Sequence, residues 1–271
     1  MRKALFIVVL AILQFVVSCH KNDDSSEDQT GRLSFYFNHG IVDTNFVGRI
    51  TIHYDTMMYR NAAGNPYMIN EIQYFISDVT LHKSDGSRVL IDAWKDIHYV
   101  DSDLPDTWKW QMKDSIPPGT YDSITFTFGI SEEKNQSLMF VNPPESNMFW
   151  PEFLGGGYHY LKLNGKWKDP EEVIRPFNFH MGIGQIYSQD SSAIVGFVQN
   201  YFEVTLENTR FSVSPNEHFA FSIVMHVDRW FSDPHVFDFD DWGGDIMQKQ
   251  DAMQLAKENG YNVFTANQMV E

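Results

Sequence analysis

Cysteine is nearly absent: one residue in 271. That excludes a disulfide framework, a multi-cysteine zinc site, an iron–sulfur cluster and a covalently attached c-type haem. Cationic side chains are scarce, with 20 Lys+Arg against 36 Asp+Glu and a formal charge of −16. A nucleic-acid binder needs a basic face to offset phosphate repulsion, so that class is excluded. Enzyme signatures are missing as well: there is no His-Glu-x-x-His, no Gly-x-Ser-x-Gly and no Gly-x-x-x-x-Gly-Lys. What is plentiful is apolar and aromatic surface, 43% and 15% of the residues. That suffices for a sizeable core and rules out global disorder. The length fits one large domain or two small ones.

The first residues read as an export signal. Arg2 and Lys3 precede an apolar run from Ala4 to Val17, interrupted by Gln14. That run is short of the ~20 residues a membrane span needs, and it ends on the small residue Ser18. Val16-Val17-Ser18-Cys19 resembles the bacterial lipoprotein box, which implies a signal peptide over 1–18 and a lipid on Cys19. A plain secretory signal with an unrelated Cys is the alternative. Two or three acyl chains, at ~0.8 kcal/mol per buried CH₂, anchor a protein to a membrane stably. The stretch to Thr30 carries Lys21, Asp23, Asp24, Glu27 and Asp28 without a large apolar residue, so 19–30 is expected to be a tether. The protein is thus expected in the cell envelope as an outer-membrane lipoprotein, on either the periplasmic or the outer face.

From residue 31 to 271 a single domain is expected. Alternation with period two recurs in Leu33–Phe37, Arg49–Tyr54, Ser123–Phe128, Tyr158–Leu163 and His218–Asp228. Turn signals such as Ala63-Gly64-Asn65-Pro66, Ser84-Asp85-Gly86 and Pro117-Pro118-Gly119 separate these runs. The pattern predicts an all-β protein, an antiparallel sandwich of jelly-roll or immunoglobulin-like type. Ser131–Trp150 is rich in Asn, Ser and Pro and reads as a long decorated connection, the kind of segment that often carries function. A short helix is predicted over about 245–259, capped by Asp245 and stopped by Gly260.

Ten histidines are the main soft-to-borderline donors of an exported chain with no free thiol. His159 lies in Gly157-Tyr158-His159-Tyr160-Leu161-Lys162-Leu163; as a strand this puts His159, Leu161 and Leu163 on one face. His180 shares a face with Asn178 and Gly182, opposite Phe177, Phe179 and Met181. His39 ends an aromatic run before a turn. His218 and His226, eight apart on one strand, stand about 26 Å apart and cannot share a metal. No pair has the close spacing of a local clip, so a metal site must be assembled from separate strands. The cluster Asp238, Asp240, Asp241, Asp245 departs from an EF-hand loop, with Trp242 and Lys249 at ligand positions, and reads as a turn and helix cap.

An ordered set of segments carries a resemblance. Tyr59-Arg60-Asn61-Ala62-Ala63-Gly64-Asn65 is followed by Ile72–Val79, Pro117–Tyr121 and Phe126–Ile130; then come Met148-Phe149-Trp150-Pro151, Gly157–Gly165 and Phe179-His180-Met181-Gly182. Together they resemble the methanobactin-associated copper-binding proteins, the MbnP-like family, here as a lipoprotein variant. The resemblance spans roughly Leu33 to Phe231. It implies a β-sandwich that binds copper, Cu(I) or Cu(II), and that is not itself an enzyme. In some members a partner di-haem cytochrome c peroxidase-like protein converts a Trp into kynurenine, which then joins histidines around Cu(I). By this resemblance His180 matches a His-x-Gly position and Trp150 a Met-x-Trp position. His159 and His39 fall in family-like segments. One departure stands out: no His lies two residues after any of the seven Trp, so the Trp-x-His element of kynurenine-bearing relatives is missing.

Two functions follow as expectations. The first is a membrane-anchored copper-binding lipoprotein for acquisition, storage or delivery, with His180, His159 and His39 as ligands and Trp150 as the oxidisable residue. The alternative is a non-enzymatic surface module that binds glycan or protein.

Overall fold

The computed structural model describes residues 30–42, 49–93 and 96–269. Cys19, the apolar run and most of the tether lie outside them. Sixteen strands are described in chain order. They are β1 (Arg32–Val42), β2 (Arg49–Thr51), β3 (Tyr59–Arg60), β4 (Pro66–Lys83), β5 (Arg88–Leu90), β6 (Ile97–Asp101), β7 (Lys109–Gln111) and β8 (Gly119–Phe128). The second half supplies β9 (Leu161–Lys168), β10 (Ile174–Met181), β11 (Gly184–Tyr187), β12 (Ile194–Val198), β13 (Phe202–Leu206), β14 (Phe211–Val213), β15 (His218–His226) and β16 (Phe264–Met269). Helices α1 (Phe239–Trp242) and α2 (Gln250–Gly260) lie between the last two strands.

Two sheets make the sandwich. One has the order β16-β15-β1-β2 with β7 also on β1; the other has the order β10-β9-β4-β8-β13, with β3, β5 and β6 on β4 and β14 on β8. β11 and β12 form a separate hairpin. Every pairing is antiparallel except β1 with β15, a parallel pair between segments far apart in the chain. The sheets meet through aromatic rings. Phe37 of β1 packs edge-on against Tyr74 of β4, and Phe264 of β16 meets Phe126 and Phe128 of β8 at 5.3 and 5.4 Å. These rings are wholly or almost wholly buried, which is where the aromatic surplus goes.

β4 is the spine of the larger sheet, and a bulge sets which of its residues reach which face. Tyr67 and Ile69 point into the core, then the register with β9 shifts between Ile69 and Glu71. The extra residue inverts the parity, so Ile72 and Tyr74 continue the core face while Glu71 and Gln73 turn to the other side. Without it, Glu71 would be driven into the apolar core.

The C-terminal helix is present but begins at Gln250. Asp245 does not cap it: its carboxylate accepts from Asn178 Nδ2 at 2.7 Å and holds the segment against β10. Asp238 caps α1 by accepting from the Asp240 N–H, so the acidic cluster serves a turn and a cap. β16 after the helix was not anticipated by periodicity; its exposed half, Asn267–Met269, lacks an apolar alternation. No helix among the described residues is long and apolar enough to cross a membrane.

Candidate metal centre

The outward face of β4, β9 and β10 is polar, yet it is not left to water. Register places Gln73 opposite Lys162, Glu71 opposite Asn164, and Lys162 opposite His180. The connection between β8 and β9 folds over this face. It is fastened by stacking of Phe140 on Phe75 at 5.4 Å and by Tyr158, whose hydroxyl takes a hydrogen bond from Phe140 N and donates to Phe140 O. Tyr158 N donates to Asn135 Oδ1 and Trp150 N to the Gly157 carbonyl, which closes the tip of the cover. Gly157 sits at φ +76°, and a Cβ there would lie 2.5 Å from Asn135 Oδ1, so any side chain here is strained and displaces Asn135.

Beneath the cover, three of the residues singled out from sequence meet. The rings of His159 and His180 stand 5.1 Å apart at 85°, and the Trp150 indole meets His159 edge-on at 4.7 Å. Trp150 is fully buried and donates from Nε1 to the Leu154 carbonyl at 3.1 Å. Gly182 lies under the indole: a Cβ there would come within 2.6 Å of the ring. The Gly of the His-x-Gly element thus makes room for the Trp of the Met-x-Trp element.

His159 differs from expectation in one respect. It does not share a strand face with Leu161 and Leu163, because β9 starts only at Leu161. The two leucines enter the core, while His159 belongs to the covering segment and reaches His180 from above. It is gripped twice by one carbonyl: Met148 O accepts from His159 N at 2.7 Å and pairs with its Nδ1 at 2.9 Å. A carbonyl only accepts, so Nδ1 carries the proton and Nε2 the lone pair. His180 follows the predicted alternation on β10, with Phe177, Phe179 and Met181 facing the core. Its Nε2 pairs with Asn164 Oδ1 at 2.7 Å, and its Nδ1 is buried without a partner.

Both imidazoles are held neutral. Burial pushes His159 down to about 3, helped by the neighbouring His180, and burial with the nearby Lys162 ammonium pushes His180 to about 3. Lys162 itself donates to Asn147 O at 2.6 Å, and its own affinity for a proton is lowered by burial.

His39 is placed elsewhere. It lies on β1 in the opposite sheet, within the strand and not at its end. Its Nδ1 meets the Tyr54 hydroxyl at 3.2 Å and its ring abuts Tyr74. It lines a separate cavity of about 220 Å³ with Thr51, Ile52, Tyr54 and Trp108. Burial lowers His39 to about 4, with Asp101 acting in the other direction. Its contacts do not include the His159–His180 pair.

Sequence reasoning did not find Lys162, Asn164 or Glu71. Alternation in Leu161-Lys162-Leu163-Asn164 marks a polar face, but a polar strand face normally signals solvent; here Lys162 and Asn164 are half-buried. Among the described residues, one group of three carboxylate or imidazole side chains lies close enough to share an ion, namely Glu71, Asp101 and Asp103. The oxygens of Glu71 and Asp101 are engaged by Gln73, Asn164, the Tyr99 hydroxyl and the Asp103 N–H.

A family model described as MbnP matches residues 30–249. The chain belongs to the MbnP family. Among solved structures, MbnP from Methylosinus trichosporium is similar to it in fold, with a TM-score of 0.57 and 13% sequence identity, over 89% of this chain and 99% of that one. No curated protein sequence matches the chain. The family match includes the strands that bear His180, the covering segment with Trp150 and His159, and His39.

Proposed function

We propose that this MbnP-family protein binds copper as Cu(I) between His159 and His180, beside Trp150, and serves as an envelope-anchored lipoprotein for copper acquisition, storage or delivery without being an enzyme. The observation that carries the reading is the pair of neutral imidazoles. Each has one ring nitrogen committed as a donor, to Met148 O or to Asn164 Oδ1, which leaves each with one lone pair; that of His180, on Nδ1, is buried without a partner. Two neutral imidazoles in ring contact, each with a lone pair to offer, favour a cation. Imidazole suits copper and zinc, and structural zinc takes four ligands. Among the described residues no close group of three His, Cys, Asp or Glu donors includes either imidazole. That favours a low-coordinate ion, Cu(I).

Trp150 forms the remaining wall, in ring contact with His159. Oxidised to kynurenine by a di-haem peroxidase-like partner, it would add an aryl amine or carbonyl donor at this place. Trp150 is wholly buried, so such a partner would withdraw electrons through the covering segment while water or peroxide supplies the two oxygens of N-formylkynurenine, whose formyl carbon then leaves as formate on hydrolysis. Elemental analysis with intact-mass spectrometry on protein from its native host, incubated with Cu(I), tests both points. Near-stoichiometric copper that disappears in the His159→Ala/His180→Ala variant supports the site, and the mass change of Trp-to-kynurenine conversion supports the modification. Copper retained by the double variant would refute the assignment.

The glycan alternative has scattered rings to build on. Of the described tryptophans, Trp108 is 39% exposed and Trp242 half-buried, whereas Trp110, Trp150, Trp167 and Trp230 are buried; Tyr187 and Tyr261 are exposed. The protein-binding alternative keeps support from Phe153 on the covering segment and Phe197 on the β11–β12 hairpin, 69% and 49% exposed.

A further inference from the structure

The hydrogen bonds behind His180 have forced directions. Glu71, placed outward by the β4 bulge, accepts at both oxygens: from Asn164 Nδ2 at Oε2 and from Gln73 Nε2 at Oε1, each at 2.9 Å. The same Gln73 amide donates to Asp101 Oδ2 at 2.9 Å, which in turn accepts from the Tyr99 hydroxyl at 2.7 Å. With its NH₂ turned to a carboxylate, Asn164 has only its carbonyl to offer on the other side. The reversed amide would set Oδ1 against the carboxylate of Glu71, acceptor against acceptor. Asn164 Oδ1 lies 2.7 Å from His180 Nε2. A carbonyl accepts, so that nitrogen holds the proton of the neutral ring, and the lone pair falls on Nδ1, the ring atom that is buried without a partner.

From this chain of directions we infer that Asn164, oriented by Glu71, is a positioning residue that fixes His180 as the Nε2–H tautomer and so presents Nδ1 as its donor atom. Outer-shell partners of this kind orient a ligating imidazole and raise its basicity. His159 is set the opposite way by the Met148 carbonyl, which leaves Nε2 as its donor. The pair is therefore a mixed one, Nδ1 from His180 and Nε2 from His159. The purpose given to the tautomer rests on the copper reading; the tautomer itself does not.

The test separates the two. ¹⁵N-histidine NMR on the purified metal-free protein should show His180 protonated at Nε2 and unprotonated at Nδ1. Asn164→Leu removes the acceptor and should mix the tautomers or shift the proton to Nδ1, while amide fingerprints report whether the fold persists. Asn164→Asp combined with Glu71→Gln reverses donor and acceptor between the two residues but keeps an acceptor toward His180, so it should restore the wild-type tautomer. In Cu(I) competition titrations Asn164→Leu should weaken binding by ~10–100-fold, with recovery in the Asn164→Asp/Glu71→Gln variant. A wild-type His180 protonated at Nδ1, or a tautomer unmoved by Asn164→Leu, would overturn the inference. Wild-type protein that shows these tautomers yet takes up no Cu(I) would refute the copper reading and uphold the positioning role.

Discussion

His39 and the His159–His180 pair are the same residue type in two buried settings, and they differ in company. Both settings strip water from the ring and keep it neutral, at about 4 for His39 and about 3 for the pair. His39 meets a tyrosine hydroxyl and has the carboxylate of Asp101 for a charged neighbour; the pair has a second imidazole, an indole and the ammonium of Lys162. Burial alone therefore does not set the pair apart. A second imidazole in ring contact does, and the covering segment between β8 and β9 brings it there.

The sharpest way to break this comparison is to remove the rings in turn. His180→Ala or His159→Ala should cost Cu(I) affinity more than the ~10–100-fold of an outer-shell change, whereas His39→Ala should leave it unchanged in the same competition titration. Next in size is Gly182→Ala. Its Cβ has no room beneath Trp150, so thermal unfolding should register a loss of ~1–3 kcal/mol typical of overpacking, and the indole should move off His159. Lys162→Met probes charge. A divalent ion pays one more unit of repulsion than Cu(I), so the variant should improve Zn(II) or Cu(II) binding relative to Cu(I) by roughly tenfold, the order of a unit charge at ~10 Å in an effective dielectric of ~20.

The pH dependence follows from the lowered values. Folded His159 and His180 bind their protons only near pH 3, while unfolded histidine does so at ~6.5. Between these limits the unfolded chain holds more protons. Their contribution to stability is therefore intact above about pH 6.5 and is lost as pH falls toward 3. Urea midpoints should decline over that window, and less steeply in a His159→Gln/His180→Gln variant. Cu(I) affinity should stay nearly level from pH 7 to 5, where exposed histidines would already lose ground to protons. The smallest effect belongs to the other pocket: Tyr54→Phe removes one hydrogen bond to His39 and should cost ~0.5–1.5 kcal/mol in denaturant unfolding, with copper binding untouched.

Much of this architecture is legible in the chain. Alternation in Phe177–Met181 places His180 opposite the core, and the Asn- and Pro-rich stretch after β8 marks the covering loop. The family resemblance also stands. Three things escape periodicity for physical reasons. The bulge at Ile69–Glu71 changes parity within a continuous strand pattern, so the outward turn of Glu71 cannot be counted off. His159 precedes its strand, where alternation no longer governs direction. The polar row Lys162, Asn164, His180 looks like a solvated face until a segment folds over it. His39 shares family-like surroundings with the pair in the sequence, and the topology sends it to the other sheet.

The most direct measurement is X-ray absorption at the copper edge on protein loaded with one equivalent of Cu(I), beside the His180→Ala and His39→Ala variants. The account predicts a low-coordinate Cu(I) signal with imidazole scattering that is preserved in His39→Ala and lost in His180→Ala. A shell of carboxylate oxygens, or imidazole scattering that survives His180→Ala and vanishes in His39→Ala, would contradict it.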